Sequence, residues 1–347
     1  MRPSPLVVFA LLAACSSPAV TTTTEAPTTT TTTATTTTLG PTTTTAVPLA
    51  TSPINGLPVE DEALLERRVL AVKIDNHGNA RPQSGLDEAA AIIELPVEGI
   101  TRFIALFHDT DATYLGPVRS GRPSDGRILN PLGATFAISG GQDWVLQQIR
   151  NEGVSLIGDT RPAMFRISGR RAPHNLYADT VQLREVADSR NLPNDPPPPM
   201  FTFGQFPASA ESATEVVMNF GNNFVTTWTW DPAGQAYVRS FGGSESELIT
   251  QEGERYPLTA QTLVVILAER YTEQPPAGGG SAVPAMNTVG SGEAHIFAGG
   301  QMVSGTWARV ASSDLIEFTH EDGSPLLVPP GFIWMSVVPA QNGIDVS

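Results

Sequence analysis

The sequence predicts an α/β or α+β segment over residues 54–195 and a β-rich, barrel- or sandwich-like segment over residues 200–347. Three observations support this prediction. In the first segment, apolar strand-like runs alternate with helix-like runs. In the second, strand-like runs follow one another across turn signals without a convincing helix. Four consecutive prolines at 196–199 separate the two segments, and neither a helix nor a central strand accommodates them.

The first segment contains four predicted strands and two predicted helices. The first strand alternates, so that Lys73 and Asp75 share the face opposite Val72 and Ile74. The three runs that follow are apolar enough to be buried strands. The stretch GPVRSGRPSDGR is rich in glycine and proline and is predicted as a loop. The strands are residues 69–75, 89–94, 101–108 and 134–139, the helices are about 143–153 and 179–190, and the loop is 116–127.

The second segment contains two predicted hairpins and two further strands. Residues 224–241 alternate on both sides of Asp-Pro-Ala-Gly, which is a strong turn signal. Trp228 and Trp230 share one face of this hairpin, which favours a place in the core over stacking on sugars. The second hairpin is 295–307, and the further strands are 262–270 and 331–339.

Residues 1–14 are predicted to be a lipoprotein signal peptide. The apolar run Leu6–Ala14 follows Arg2 and is too short to span a bilayer. It ends in Leu-Ala-Ala-Cys, which is typical of a lipobox, and Cys15 is the only cysteine of the chain. The sequence therefore predicts a lipid such as palmitate on Cys15 and a place at the extracytoplasmic face of the cell membrane. The alternative is an ordinary secretory signal with an incidental cysteine.

Residues 15–53 are predicted to be a disordered tether. Threonine dominates residues 21–45, which show no apolar period and cannot bury enough surface to fold. The composition is typical of O-glycosylated stalks. An extended chain of this length could hold the folded body on the order of 100 Å from the membrane.

The charge and residue usage exclude several classes of function. The formal net charge is −15, which argues against nucleic acid as a partner. The single cysteine allows no disulfide within the chain and excludes a cysteine transpeptidase. No SxxK or GxSxG motif occurs. No spacing typical of a metal site is present, so neither a metal nor a cofactor is predicted.

Arginines are concentrated in glycine- and proline-rich loops of the first segment. Such loops are rigid, and a guanidinium suits carboxylate or phosphate oxygens bidentately, which predicts a site for an anion. The alternative is a structural network in which the arginines pair with the chain's own aspartates, namely Asp87, Asp109, Asp111, Asp125 and Asp159. The candidate ligand-binding residues are Lys73, Asp75, Arg81, Arg102, Arg119, Arg122, His174 and Asn175.

Two of these candidates, Asp75 and His174, could also act in catalysis. His174 follows a proline and precedes Asn175, which is a reasonable setting for a general base or for an imidazole that orients a ligand. Lys73 is the only lysine, and its simplest interpretation is an ion pair with Asp75 on the same strand face. These residues alone leave open whether the protein is an enzyme.

Seven motifs carry a resemblance to a known family. In order they are VLAVKIDNHGNARPQSGLDEA, VEGITRFIALF, GPVRSGRPSD, RRAPHNLYAD, SGEAHIF, SGTWAR and IWMSVVP. Together they resemble the YerB-like family of bacterial lipoproteins, whose domain of unknown function has two parts. The resemblance covers about residues 54–345 and implies a lipoprotein with a two-part body. It implies no reaction.

Three functions are therefore carried forward. The first is a membrane-anchored envelope lipoprotein that binds an anionic envelope ligand through its arginine-rich loops, such as a cell-wall component, a lipid-linked phosphate or a peptide carboxylate. The second is an envelope hydrolase or transferase that uses Asp, Glu or His at the same place. The third is an assembly factor without a small-molecule ligand.

Overall fold

An 11-stranded mixed sheet organises the part of the chain that the structure, a computed structural model, describes, residues 49–347. The predicted signal peptide, the lipid on Cys15 and the tether up to residue 48 lie outside the described residues. Residues 48–347 group into one compact unit. Among the described residues, no helix has the length and apolar character that a membrane span requires.

The first segment has the predicted alternation of strands and helices, together with three short 3-10 helices (Glu62–Glu66, Gly78–Ala80 and Asn130–Leu132). The four predicted strands and both predicted helices are present, with ends displaced by a few residues. The elements are β1 (Leu70–Asp75), β2 (Ala91–Pro96), β3 (Thr101–Phe107), α1 (Pro123–Leu129), β4 (Thr135–Ala137), α2 (Asp143–Asn151), β5 (Ser155–Ile157), β6 (Met164–Arg166), β7 (Leu176–Ala178) and α3 (Thr180–Ser189).

Helix α1 corrects the prediction of a loop over residues 116–127. The helix begins at Pro123, a position where proline is well tolerated because its missing N–H would have no helical partner. The Asp125 side chain accepts a hydrogen bond from the Arg122 backbone N–H at 2.7 Å and closes the first turn. The sequence pattern missed this helix because its seven residues are too few to show a clear period.

The second segment consists of strands alone within the described residues. They are β8 (Glu211–Ser212), β9 (Glu215–Asn219), β10 (Val225–Asp231), β11 (Ala236–Phe241), β12 (Ser244–Glu245), β13 (Glu247–Ile249), β14 (Arg255–Pro257), β15 (Thr259–Ala260), β16 (Thr262–Ala268), β17 (Arg270–Glu273), β18 (Val283–Met286), β19 (Gly290–Ala298), β20 (Gln301–Arg309), β21 (Glu317–Thr319), β22 (Ile333–Pro339) and β23 (Ile344–Val346).

Both segments contribute strands to the large sheet. Its order is β21-β20-β19-β16-β22-β2-β3-β1-β4-β5, and β8 pairs with β20. Strand β22 lies between β2 and β16 and runs parallel to both. The domain boundaries predicted near residues 195–200 therefore separate two stretches of sequence that share a sheet. That each stretch is a domain in its own right stays a prediction.

The two faces of the large sheet are covered by different elements. On one face, apolar side chains of β1 and β22 pack with α3 and with a six-stranded sheet of order β12-β11-β10-β9-β23, in which β15 pairs with β11. Trp228 of this second sheet is fully buried, as predicted, while Trp230 is half-buried. The other face packs against α1 and α2. The side chains of Lys73 and Asp75 alternate with Val72 and Ile74, so they lie on the α1 face.

Candidate functional site

Asp75 lies at the end of β1 and binds a histidine. Its side chain is fully buried, and its Oδ2 lies 2.7 Å from His174 Nδ1. Its Oδ1 accepts a hydrogen bond from the His77 backbone N–H at 3.0 Å. The imidazole of His174 stacks on that of His77, with ring centroids 4.6 Å apart. The aspartate and the stacked ring together fix the orientation of His174.

Arg119 lies beside the same carboxylate. The segment before it runs along the end of β1, where Asp75 N–H donates to the Pro117 carbonyl and Arg119 N–H donates to the Lys73 carbonyl, both at 2.8 Å. Arg119 Nε lies 3.0 Å from Asp75 Oδ2. The N–H does not point at that oxygen, so the contact is an ion pair rather than a hydrogen bond. The side chain is 22% exposed and can be reached from solvent.

Arg102 is the antiparallel neighbour of Asp75 on β3. Its Nη1 donates to the Ser120 carbonyl at 2.8 Å, and its buried Nε has no hydrogen-bond partner among the described residues. Burial and the nearby guanidinium of Arg122 lower the pKa of Arg102 to about 10. No carboxylate of the described chain forms an ion pair with it.

Arg122 holds Glu98 in a two-pronged contact. Its Nε and Nη2 donate to the two carboxylate oxygens of Glu98 at 2.7 and 3.0 Å. Burial alone would raise the pKa of Glu98, but the hydrogen bonds and charge of Arg122 hold that pKa below its usual value. Glu98 was not among the candidate site residues chosen from the sequence.

Lys73 pairs with Asp125 instead of Asp75, which corrects the simplest interpretation of the sequence. Lys73 Nζ lies 2.6 Å from Asp125 Oδ1, and both side chains are buried. The contact forms because α1 crosses this face and places Asp125 against Lys73, whereas Asp75 faces His174. Burial lowers the pKa of Lys73, and the charge of Asp125 opposes that effect.

The cluster at the end of β1 carries an excess of positive charge. Four cationic side chains meet three carboxylates, and His174 adds a further group that can become cationic. We name this cluster the arginine site. Its members are Lys73, Asp75, Glu98, Arg102, Arg119, Arg122, Asp125 and His174.

Two predicted ligand-binding residues do not join the arginine site. Asn175 follows His174 but accepts a hydrogen bond from Arg166 at 2.9 Å and donates to the Ile167 carbonyl at 3.2 Å. Arg81 donates to the side chain and carbonyl of Asn76, whose own side chain reaches the opposite face of the sheet. Adjacent residues of an extended chain point to opposite sides, which a motif read as a string of letters does not reveal.

The aspartates expected to pair with the loop arginines mostly bind other groups. Asp111 pairs with Arg67 and Arg184. Asp87 accepts hydrogen bonds from Tyr256. Arg119 instead forms an ion pair with Asp75, and Arg122 forms one with Glu98. Asp109 accepts a hydrogen bond from Ser52 Oγ at 2.7 Å and lies 3.9 Å from His108, and Asp159 pairs with Arg166 at 3.3 Å.

Comparisons with known proteins agree on a family. The sequence models of the "Protein of unknown function (DUF3048)" family match the chain with their N-terminal domain at residues 54–193 and their C-terminal domain at residues 216–335. A protein of Bacillus subtilis (strain 168) named "Putative lipoprotein YerB" is 26% identical over 305 residues, which cover 85% of this chain and 88% of the relative.

A solved structure shows the same fold. The crystal structure of the YerB protein from Bacillus subtilis matches with a TM-score of 0.74 at 24% identity. The match covers 86% of this chain and 99% of that one. The fold is therefore that of the YerB crystal structure.

Proposed function

The chain belongs to the DUF3048 family, and from this premise we propose that it is a lipid-anchored envelope protein whose arginine site binds an anionic ligand. The anchor rests on the lipobox at Cys15 and on the similarity to a relative named as a lipoprotein. Such an anchor would hold the arginine site outside the cytoplasm, at the extracytoplasmic face of the cell membrane. Anionic cell-wall components would be within its reach there.

One observation supports the anion site above all others. The terminal nitrogens Nη1 and Nη2 of Arg119, and Nη2 of Arg102, make no hydrogen bond with any described residue and are not sealed from solvent. Buried or half-buried guanidinium groups normally satisfy their donors. An oxyanion bound here would accept these hydrogen bonds and neutralise the excess positive charge of the site.

The binding proposal is tested by thermal unfolding of the full chain with anions. Inorganic pyrophosphate and long-chain polyphosphate represent phosphate-rich wall polymers, and acetate represents a carboxylate. A ligand present at about 100 times its Kd contributes roughly 2.7 kcal/mol, so the unfolding temperature should rise by several degrees. The shift should vanish in Arg119→Ala and return in part in Arg119→Lys, each compared with its own unliganded midpoint.

The matched control is Arg150→Ala, because Arg150 is exposed on α2 and its side chain contacts no described residue by hydrogen bond or ion pair. This variant should keep the full shift. Equal shifts in wild type, Arg119→Ala and Arg102→Gln would disprove binding at the arginine site.

An enzyme at the same site is the second candidate, and the geometry of His174 favours it. Nδ1 of His174 is held by a buried aspartate, and Nε2 makes no hydrogen bond within the described chain. This is the orientation in which an aspartate prepares a histidine to act as a general base through its other nitrogen. His174→Gln separates the two candidates. If the protein only binds the anion, this variant should keep most of the rise in unfolding temperature that pyrophosphate causes. If the protein is an enzyme, the variant should no longer release phosphate from polyphosphate.

A further inference from the structure

A polar cavity lies on the face of the large sheet opposite the arginine site. It has a volume of about 230 Å³ and is lined from both segments of the chain. The loop after β1 contributes Arg81 and Gln83, and the region from β11 to β13 contributes Arg239, Phe241 and Glu245. Its size suits a molecule smaller than the drug-sized ligands that occupy pockets of about 300–1,000 Å³.

Arg239 forms the inner wall of this cavity. Its side chain is 1% exposed; Nη2 donates to Glu94 Oε1 at 2.8 Å, and Nη1 donates to Ser246 Oγ at 3.1 Å. Its Nε has no hydrogen-bond partner among the described residues. Glu94 is itself fully buried and accepts from Trp334 Nε1 at 2.9 Å, so Arg239 is held rigidly, with its unpaired Nε buried.

Arg81 forms a second cationic wall. Its Nε and Nη2 donate to Asn76 at 2.9 and 2.8 Å, and its guanidinium lies 4.1 Å from the centre of the Phe241 ring. Nη1 makes no hydrogen bond within the described chain and is open to solvent. Burial and the charge of Arg239 lower the pKa of Arg81 to about 10. The protein thus holds two like charges close together.

The charges at the rim have the opposite sign. Glu247 lines the rim, but Arg255 pairs with it at 3.1 Å. Glu245 is exposed and has no ion-pair partner among the described residues. Inside, Glu94 offsets one of the two arginines. One positive charge therefore remains at the inner end of the cavity and one negative charge at its mouth.

We propose that this cavity binds a small zwitterion, an amino acid or the end of a peptide, with its carboxylate on Arg81, near the positive charge of Arg239, and its ammonium group at Glu245. A carboxylate accepts bidentate hydrogen bonds from guanidinium donors such as Arg81 Nη1. A purely anionic ligand would meet Glu245 and a purely cationic one would meet the arginines, so opposite charges in one molecule fit best. The proposal goes beyond the proposed function and does not depend on it.

Ligand-observed saturation-transfer NMR on the full chain tests this proposal. The probes are L-alanine, which carries both charged groups, acetate, which carries only the carboxylate, and methylammonium, which carries only the cation. Titration of the signal gives a Kd for each probe. L-alanine should bind most tightly, acetate more weakly, and methylammonium should show no binding.

Three variants locate the site. Arg81→Gln should weaken L-alanine binding by about tenfold or more, since hydrogen bonds to charged groups are the strong ones. Glu245→Gln should remove the advantage of L-alanine over acetate. Ser244→Trp places a large ring at the mouth of the cavity and should block both probes, and because Ser244 is exposed the substitution leaves the buried network in place.

Two controls keep this proposal separate from the proposed function. Arg119→Ala disables the arginine site and should leave the Kd of L-alanine unchanged, as should the exposed Arg150→Gln. The proposal is overturned if L-alanine gives no signal with the wild-type chain, or if Arg81→Gln and Ser244→Trp both bind it as wild type does. Equal affinities for acetate and L-alanine would overturn the role of Glu245.

Discussion

Two fully buried cations of this protein, Lys73 and Arg239, are paired with carboxylates that lie far away in the sequence. Lys73 meets Asp125, and Arg239 meets Glu94 across 145 positions of the chain. Each pairing is possible because a strand places the cation against another element that brings the carboxylate. Arg102 and Arg119, by contrast, keep donors that no described side chain uses. Lys73 and Arg239 therefore stabilise the fold, whereas Arg102 and Arg119 have donors available to a ligand.

His108 provides a residue-scale prediction about pH. Its side chain is fully buried, and neither ring nitrogen has a hydrogen-bond partner among the described residues. Burial lowers its pKa below 6.5; Asp109 opposes this shift, and the charges of Arg67 and Arg184 add to it. Below pH 6.5, His108 is therefore protonated more readily in the unfolded chain than in the folded chain. As a result, the free energy of unfolding decreases as the pH falls from 6.5 towards the lower pKa of the folded chain.

Urea unfolding at a series of pH values measures this loss. His108→Leu should flatten the pH dependence of the free energy of unfolding below pH 6.5, by up to about 1.4 kcal/mol for each unit of pKa shift. His295→Gln should flatten it further, because burial also lowers the pKa of His295. An unchanged slope in His108→Leu would show that His108 is protonated equally well in the folded chain.

At the scale of elements, close approach between strands depends on glycine in β20. A Cβ on Gly305 would collide with the Thr319 carbonyl of β21 and with the Leu326 side chain. Gly305 lies beside Thr306, which pairs with Thr319 in the sheet. The short edge strand β21 can therefore approach β20 only where no side chain intervenes.

Gly305→Ala should destabilise the protein by about 1–3 kcal/mol, the usual cost of overpacking. Gly158→Ala is the matched control, since a Cβ there would meet no atom within 4 Å and the backbone is not left-handed. Urea unfolding of both variants gives the comparison. Equal stabilities would mean that β21 shifts away from β20 at no cost.

At the scale of the whole molecule, Glu94 ties the two segments together. It lies on β2, and its partners Arg239 and Trp334 lie on β11 and β22. Glu94→Gln leaves a buried guanidinium without its carboxylate and should lower the free energy of unfolding by about 3–5 kcal/mol.

Because both segments share this contact and the large sheet, tryptophan fluorescence and far-UV circular dichroism should report one coincident unfolding transition.

The double variant Glu94→Gln with Arg239→Met is the control for this prediction. It removes both charges, so its cost should be smaller than the sum of the two single costs. Additive costs would contradict a direct interaction. Separate transitions in the two probes would show instead that the segments unfold independently.

The sequence by itself determined the longer strands, two of the three described α-helices and the family, because alternation, turn residues and ordered motifs are local properties of the chain. It also singled out Asp75, Arg102, Arg119, Arg122 and His174, which the fold brings together. It missed α1, which is too short to show a period. It also assigned Arg81 and Asn175 to a site that they do not join.

Only the tertiary structure decided the partner of each charge and the face on which each candidate lies. Lys73 and Asp75 share one strand face, yet α1 supplies the carboxylate for Lys73 and leaves Asp75 for His174. The interleaving of β22 between β2 and β16 was equally invisible in the sequence. Pairing between distant strands depends on how the whole chain closes its core, and no local pattern carries that information.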